Sequence, residues 1–289
     1  MMTRERFDLG SYLQRARQNI LPSRNGAVPL GEPPDGPLYV GADLGTAYLV
    51  LVALDKDLQV VAGEYQFAQV VKDGLVVDYM GAVDRLKGMK TRLETRIGRE
   101  LTSAASAYPP GVPRAEVRAT ANVVEAAGLE CTGLVDEPSA ANALLGIENG
   151  AIVDVGGGTT GIAVVENGRV VYTADEPTGG THFTLVIAGA KDISFEDAED
   201  FKKDDAHQAE LFPVLRPVME KVASITARHL QGRSVEHITL VGGTSRCSGM
   251  ERVVQEYTGI PTSIPQDPLF VTPIGIALQQ AMNLSNESE

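Results

Sequence analysis

The chain has 289 residues, 43% of them hydrophobic and 22% charged. These values exclude wholesale disorder, and the length suits two cores better than one. A formal net charge of −13 sets the surface against nucleic acid and anionic membrane. It does not oppose a nucleotide, whose phosphates are held by local backbone N–H groups and a metal.

Residues 1–37 read as an arm apart from the body. Leu9 to Leu21 has helical spacing, with Leu9, Tyr12, Leu13, Ala16 and Ile20 on one face, and Pro22 stops it. Gly31 to Pro37 reads as a linker. The first residues carry no apolar signal-peptide core. The longest apolar stretch, Leu38 to Leu54, is broken by Gly41, Asp43 and Gly45, so no membrane span and a cytoplasmic location are expected. Cys131 and Cys247 have neither zinc nor disulfide spacing and read as reduced, partly buried thiols.

The body starts at Leu38 with a buried-strand pattern, and Asp55–Asp57 turns it into a hairpin. Tyr79 to Thr102 places Val83, Leu86, Met89, Leu93, Ile97 and Leu101 at helical spacing. A rigid loop follows at Tyr108–Pro113, then a helix from Ala115 that ends at Gly128. Ala151 to Ala174 repeats the layout of the first segment, with Asn167-Gly168 as its hairpin turn. In each copy an Asp ends the first strand and a Gly/Thr loop follows. This weak internal repeat predicts two similar α/β lobes facing each other across a cleft. They are expected at 38–146, with a short insert near 70–100, and at 147–282, followed by a tail at 283–289. Helices are expected over 194–210, 213–230 and 272–282, the last either ending the second lobe or packing back on the first. His237 to Val241 reads as a strand.

Five short stretches carry candidate chemistry. In Asp43-Leu-Gly-Thr46, a glycine after a strand lets backbone N–H groups approach a phosphate, while the carboxylate can hold hydrated magnesium. The plainer reading is a strand turn. Asp154-Val-Gly-Gly-Gly-Thr-Thr160 repeats the pattern with three glycines, or is a glycine-rich bulge. Glu137-Pro138 can open a helix with a carboxylate that positions water, or serve only as a helix-start charge. Leu240 to Arg246 holds two glycines that let backbone lie flat against a base, with Arg246 able to stack on it, or is an ordinary strand–helix turn. Glu199 and Lys202, one turn apart, bind ribose and base or form a solvated pair.

Taken in order, these stretches resemble the motifs of the actin/Hsp70/sugar-kinase superfamily. The implied fold is α/β: two RNase H-like, actin/Hsp70 ATPase-type lobes with mixed sheets around a nucleotide cleft. Within it, the chain resembles the EutJ family of ethanolamine-utilisation proteins. The carrying stretches are Val70–Asp78, Gly128–Glu130, Asp136–Ala140, Val155–Ala163, Ala174–Gly180 and Val271–Ala277.

The resemblance implies roles residue by residue. Asp43 and Asp154 would hold Mg2+ through water. Gly45, Thr46, Gly157, Gly158 and Thr159 would contact the phosphates of ATP. Glu137 would orient the attacking water, and Glu199, Lys202, Gly242, Gly243 and Arg246 would hold the nucleoside. The implied function is a chaperone-like, slow ATPase of ethanolamine utilisation, with ATP and ADP as ligands. Its partner would be ethanolamine ammonia-lyase or a microcompartment protein, and the arm would then be either a compartment tag or a helix docked on the first lobe. Alternatives are a small-molecule kinase of the acetate or sugar type and a nucleotide-dependent filament or scaffold of the actin or PilM type.

Three departures bear on this. Hsp70 proteins carry an Asp where this chain has Gly161, and none of Lys72, Lys87 and Lys90 aligns with their catalytic lysine. Only seven residues follow Met282, so an Hsp70-style peptide clamp is not expected.

Overall fold

The structure is a computed structural model that describes residues 8–23, 28–72 and 75–286. These fall into two units, 8–146 with 269–286, and 147–268.

In the first unit, α1 (Leu9–Asn19) starts on the Asp8 side chain, which accepts from the Ser11 N–H at 3.2 Å, and buries Tyr12, Leu13 and Ala16. β1 (Ile20–Pro22) follows at once. The helix ends two residues earlier than its spacing predicts, because Ile20 and Leu21 take partners on a strand edge. β2 (Tyr39–Leu44), β3 (Tyr48–Leu54) and β4 (Val60–Phe67) form an antiparallel meander. At its expected turn Asp55 accepts from the Asp57 and Gln59 N–H groups. β5 (Val71–Lys72) and β6 (Leu75–Val76) pair as a small ribbon. Asp73 and Gly74, part of a stretch used for the family resemblance, lie outside the described residues.

α2 (Tyr79–Ile97) buries the predicted apolar stripe and ends at left-handed Gly98. β7 (Ser103–Tyr108), α3 (Arg114–Ala126), β8 (Glu130–Asp136) and α4 (Glu137–Leu145) complete this run. The sheet order is β1-β4-β3-β2-β7-β8, with β1 parallel to β4, and β7 parallel to both β2 and β8.

In the second unit, β9 (Gly150–Val155), β10 (Thr160–Glu166) and β11 (Arg169–Glu176) form another antiparallel meander. Asn167 and Gly168 both adopt positive φ, 51° and 73°, as a two-residue hairpin turn of this kind requires. α5 (Gly180–Lys191), α6 (Phe195–Lys203), α7 (Gln208–Leu230), β12 (Ile238–Val241), α8 (Met250–Thr258) and β13 (Thr262–Ser263) follow. The order is β11-β10-β9-β12-β13, with β12 parallel to both neighbours.

The helix break expected before Pro213 lies instead at Asp204, whose side chain accepts from Ala206 N–H at 2.9 Å. α7 runs through Pro213 and Pro217 because Leu211, Leu215, Met219 and Val222 form one continuous buried stripe.

α9 (Val271–Asn286) belongs to the first unit. A Cβ on Gly41 of β2 would fall 2.4 Å from the Pro273 carbonyl oxygen, and one on Gly275 would fall 1.8 Å from that of Ala140 in α4. The Gln280 amide is fully buried, accepts from Val40 N–H at 2.5 Å and donates to Ser103 and Thr132. The helix continues past Met282, so residues 283–286 are helical where a tail was expected, and 287–289 lie outside the described residues.

Strand for strand, β4-β3-β2-β7-β8 matches β11-β10-β9-β12-β13: two antiparallel pairings, then two parallel ones. The sequence repeat is therefore a repeat of topology, and the fold is two RNase H-like units with mixed sheets.

Candidate functional site

In the first unit Val40, Ala42 and Leu44 of β2 enter the core, which turns Asp43 to the other face of the sheet. The turn after it closes only with glycine, since a Cβ on Gly45 would sit 2.8 Å from the Tyr48 carbonyl oxygen. Asp43, Gly45 and Thr46 are half-buried. Glu137 is the first residue of α4. The capping role falls to Asp136, which accepts from Ser139 N–H at 2.9 Å. Of the three lysines considered for catalysis, Lys90 pairs with Glu94 at 2.6 Å.

The second unit brings together three of the five candidate stretches, Asp154–Thr160, Glu199 with Lys202, and Leu240–Arg246. Loop 156–159 joins β9 to β10 and is closed by Gly156 N–H on the Thr159 carbonyl at 3.0 Å. The Gly156 carbonyl accepts from Gly180 N–H and from the Thr244 hydroxyl, both at 2.8 Å. The Gly157 carbonyl accepts from Thr181 N–H at 2.8 Å and its hydroxyl at 3.0 Å. A trans peptide points its C=O and N–H in opposite directions. Holding these two carbonyls against the start of α5 therefore turns the N–H groups of Gly157 and Gly158 outward, side by side. Two such donors suit an anion.

The approach is tight on every side. A Cβ on Gly179 would lie 2.6 Å from the Gly158 carbonyl carbon, and one on Gly242 would lie 2.2 Å from Asp154 Oδ1. Gly242 also has φ +84°, which L side chains rarely adopt. Gly243 opens a 3-10 turn that ends at Arg246, and Arg246 is exposed, 3.5 Å from Asp205.

Glu199 and Lys202 form a buried pair at 2.6 Å, not the solvated pair that their spacing allows. Lys202 also donates to Thr184 at 2.8 Å and to the Gly180 carbonyl at 3.2 Å, which occupies all three of its protons inside the unit. Burial pushes the Glu199 carboxyl up, but the Lys202 charge, with hydrogen bonds from Lys202 and Thr184, holds it below the ordinary range. The pair thus braces α6 against the first turn of α5. Burial raises the Cys247 thiol to about 11, so it is an inert reduced side chain.

Sequence reasoning missed Gly179, Gly180, Thr181 and Thr244 as parts of this loop's support. The Gly-Gly pair ahead of a helix was the available signal, whereas Thr181 and Thr244 are placed by tertiary contact alone.

Magnesium dehydrates reluctantly and is commonly held through water by one or two carboxylates plus phosphate. The residues fit that mode: Asp154 lies at the end of β9 beside the glycine loop, and Gly242 leaves room for its carboxylate, since a Cβ there would lie 2.2 Å from Oδ1. Asp154 would hold the hydrated ion, which would neutralise phosphate charge there.

Two family models match, type IV pilus assembly protein PilM over residues 139–280 and MreB/Mbl protein over 58–189. The ethanolamine utilization protein EutJ of Salmonella typhimurium is 43% identical over 84% of this chain and 86% of its own. The crystal structure of EutJ from Carboxydothermus hydrogenoformans superposes with TM-score 0.87 at 44% identity, covering 94% of this chain and 98% of that one. MreB5 of Spiroplasma citri, solved bound to AMPPNP, superposes with TM-score 0.71 at 21% identity, covering 88% and 99%.

Proposed function

The chain belongs to the EutJ family of ethanolamine utilization proteins, and from that premise we propose that it is a chaperone-like, slow ATPase serving ethanolamine ammonia-lyase or the assembly of its microcompartment. The observation that carries the nucleotide part is the pair of outward N–H groups at Gly157 and Gly158, fixed by carbonyls clamped to α5. That the MreB5 neighbour was solved with AMPPNP supports the same reading. Gly157, Gly158 and Thr159, with Gly45 and Thr46, take the phosphates of ATP. Asp154 and Asp43 hold Mg2+ through water. Glu137, released from capping by Asp136, orients the attacking water. Gly242, Gly243 and Arg246 face the nucleoside, and Glu199 with Lys202 sets the shape of that end.

The test is binding first, then turnover. A ligand at one hundred times its Kd stabilises the folded state by about 2.7 kcal/mol. Saturating Mg-ATP should therefore raise Tm by several degrees, and Asp154→Ala should remove most of the rise. Glu137→Ala should keep the rise but hydrolyse ATP about 10²-fold more slowly. Adding purified ethanolamine ammonia-lyase or shell proteins should change wild-type turnover, and a rate indifferent to all of them would remove the chaperone reading.

A scaffold reading is favoured by the matches to the PilM and MreB/Mbl models. It predicts ATP-dependent sedimentation with little turnover, and a chain that stays in the supernatant with and without ATP excludes it.

A further inference from the structure

We propose that the open edge of β11 is a docking site for an extended, acidic segment of a partner protein, which adds to the sheet in parallel as β1 adds to β4.

The two units place β4 and β11 at the same position. Val50 of β3 lies opposite Asp43 on one side and Tyr65 of β4 on the other. Gly161 of β10 lies in the same way between Asp154 of β9 and Asp175 of β11. Counted back from there, Val61 and Val171 are each an extra residue in the ladder, the same bulge in both strands. Gly63 and Thr173, two residues past it, are therefore equivalent. In the first unit the N-terminal arm closes this edge, with Ile20 of β1 paired to Gly63 in parallel. In the second unit the sheet ends at β11. Exposure follows the difference: Val60, Ala62, Gly63 and Glu64 of β4 are buried, whereas no residue of β11 is.

The backbone of β11 is turned as such an addition requires. Gly156 N–H bonds the Thr159 carbonyl, so by the alternation of an antiparallel ladder Gly161 also faces β9, and Ile162 faces β11. Ile162 is opposite Ala174, which therefore bonds to β10 and leaves the N–H and C=O of Thr173 pointing away from the sheet. In the first unit Ser23 N–H reaches the Tyr65 carbonyl at 3.0 Å, so Tyr65 and, two residues back, Gly63 face the arm in the same sense. An unpaired edge of this kind is a template for another strand, and main-chain bonds supply the affinity.

Charge selects the occupant. In the first unit Arg96 of α2, the helix that leads into β7, donates to the carbonyls of Gly63 and Asn19 at 2.9 and 3.1 Å and so staples the arm to β4. α7, the helix that leads into β12, brings guanidinium groups to β11 as well. Arg228 donates to Glu176 at 2.5 Å and is 56% exposed, and Arg233, just past the helix, lies 3.5 Å from the centre of the Tyr172 ring. Tyr172, Ala174 and Glu176 share the helix side of the strand, and Asp175 points to the other. Two guanidinium groups thus face one carboxylate at this edge, on a chain of net charge −13. A segment that carries carboxylates complements them.

The probe is a fluorescein-labelled, end-capped peptide, Glu-Val-Ile-Val-Glu, titrated with the full chain by anisotropy beside its Lys-Val-Ile-Val-Lys counterpart. The acidic peptide should bind, and at low salt about tenfold or more tighter than the basic one. On binding, the Thr173 amide should gain protection in hydrogen exchange followed by NMR. The Ala174 amide, already bonded to β10, should not change. Thr173→Pro removes the outward N–H at a place where an edge strand tolerates proline, and should weaken binding about tenfold or more. Thr173→Val keeps that N–H and should bind as the wild type does. An acidic peptide that fails to bind, or binds no better than the basic one, overturns the proposal. Binding without protection at Thr173 also overturns it, because the peptide then lies elsewhere. If Thr173→Pro does not fold, exchange at Thr173 in the wild type decides by itself.

Discussion

At the scale of single residues, the second unit is organised by the buried Glu199–Lys202 pair as much as by its glycines. A carboxyl held below its ordinary range when folded contributes stability above the unfolded value. That contribution is lost as pH falls through the folded value. Glu199→Gln removes the charge but keeps the shape, and it strands Lys202 among Thr184 and the Gly180 carbonyl. Breaking one side of a buried pair costs about 3–5 kcal/mol. The difference in stability between wild type and Glu199→Gln should therefore be largest near neutral pH. It should close as pH falls below the ordinary carboxylate range, in urea melts taken across pH. A difference that stays constant with pH would deny the pair this role. The sequence made Glu199, Lys202, Asp154 and the triple glycine legible, because each is an unusual residue at a short fixed spacing. It could not show that Lys202 spends its protons on α5, or that Asp175 stands opposite Gly161, since both depend on which strand and helix lie alongside.

Secondary-structure elements were legible where a period or a turn residue marks them. α2 shows its stripe every three to four residues, and Asn167-Gly168 announces its hairpin. β7 was not legible: its sequence is Ser-Ala-Ala-Ser-Ala-Tyr, without a β-branched residue, and small residues are what its contacts with β2 and β8 admit. The N-terminal arm shows the opposite outcome, an element anticipated as a helix whose attachment was open. In the structure Tyr12 donates to the Leu58 carbonyl at 2.8 Å and Asn19 to that of Val60 at 2.8 Å. Arg96 of α2 donates to the carbonyls of Gly63 and Asn19, and β1 extends the sheet beside β4. Leu13 has no exposed surface at all. Leu13→Ala should therefore cost about 2–5 kcal/mol in a denaturant titration, as a core residue does. A change under about 0.5 kcal/mol, the scale of ordinary surface substitutions, would mean that α1 is detached in solution and free to serve as a tag.

For the molecule as a whole, the decisive feature is that the first unit is not continuous in sequence. Its sheet is laid down by residue 136, yet the face of β2 that carries Gly41 and Asp43 is packed by α9, which arrives only after the second unit has been built. The junction of α9 with α4 is closer than ordinary helix packing, because a Cβ on Gly275 would fall 1.8 Å from the Ala140 carbonyl oxygen and 2.5 Å from its carbon. These are backbone atoms, so a side chain at 275 cannot be accommodated by rotating a neighbour. Gly275→Val should force α9 off α4, with a cost of about 3 kcal/mol or more and a fall in Tm of about 5–10 °C. It should also weaken Mg-ATP binding, since α9 packs against the backbone of β2 two residues before Asp43. Gly189 of α5 is the control. It is exposed, helical and has nothing within 4 Å of its Cβ position, so Gly189→Ala should raise stability by about 0.4–1 kcal/mol. Melting curves that fall for Gly275→Val and rise for Gly189→Ala would place the demand for glycine in the helix crossing itself. If both variants melted like the wild type, the α4–α9 contact would not be what holds the returning C-terminal helix in the first unit.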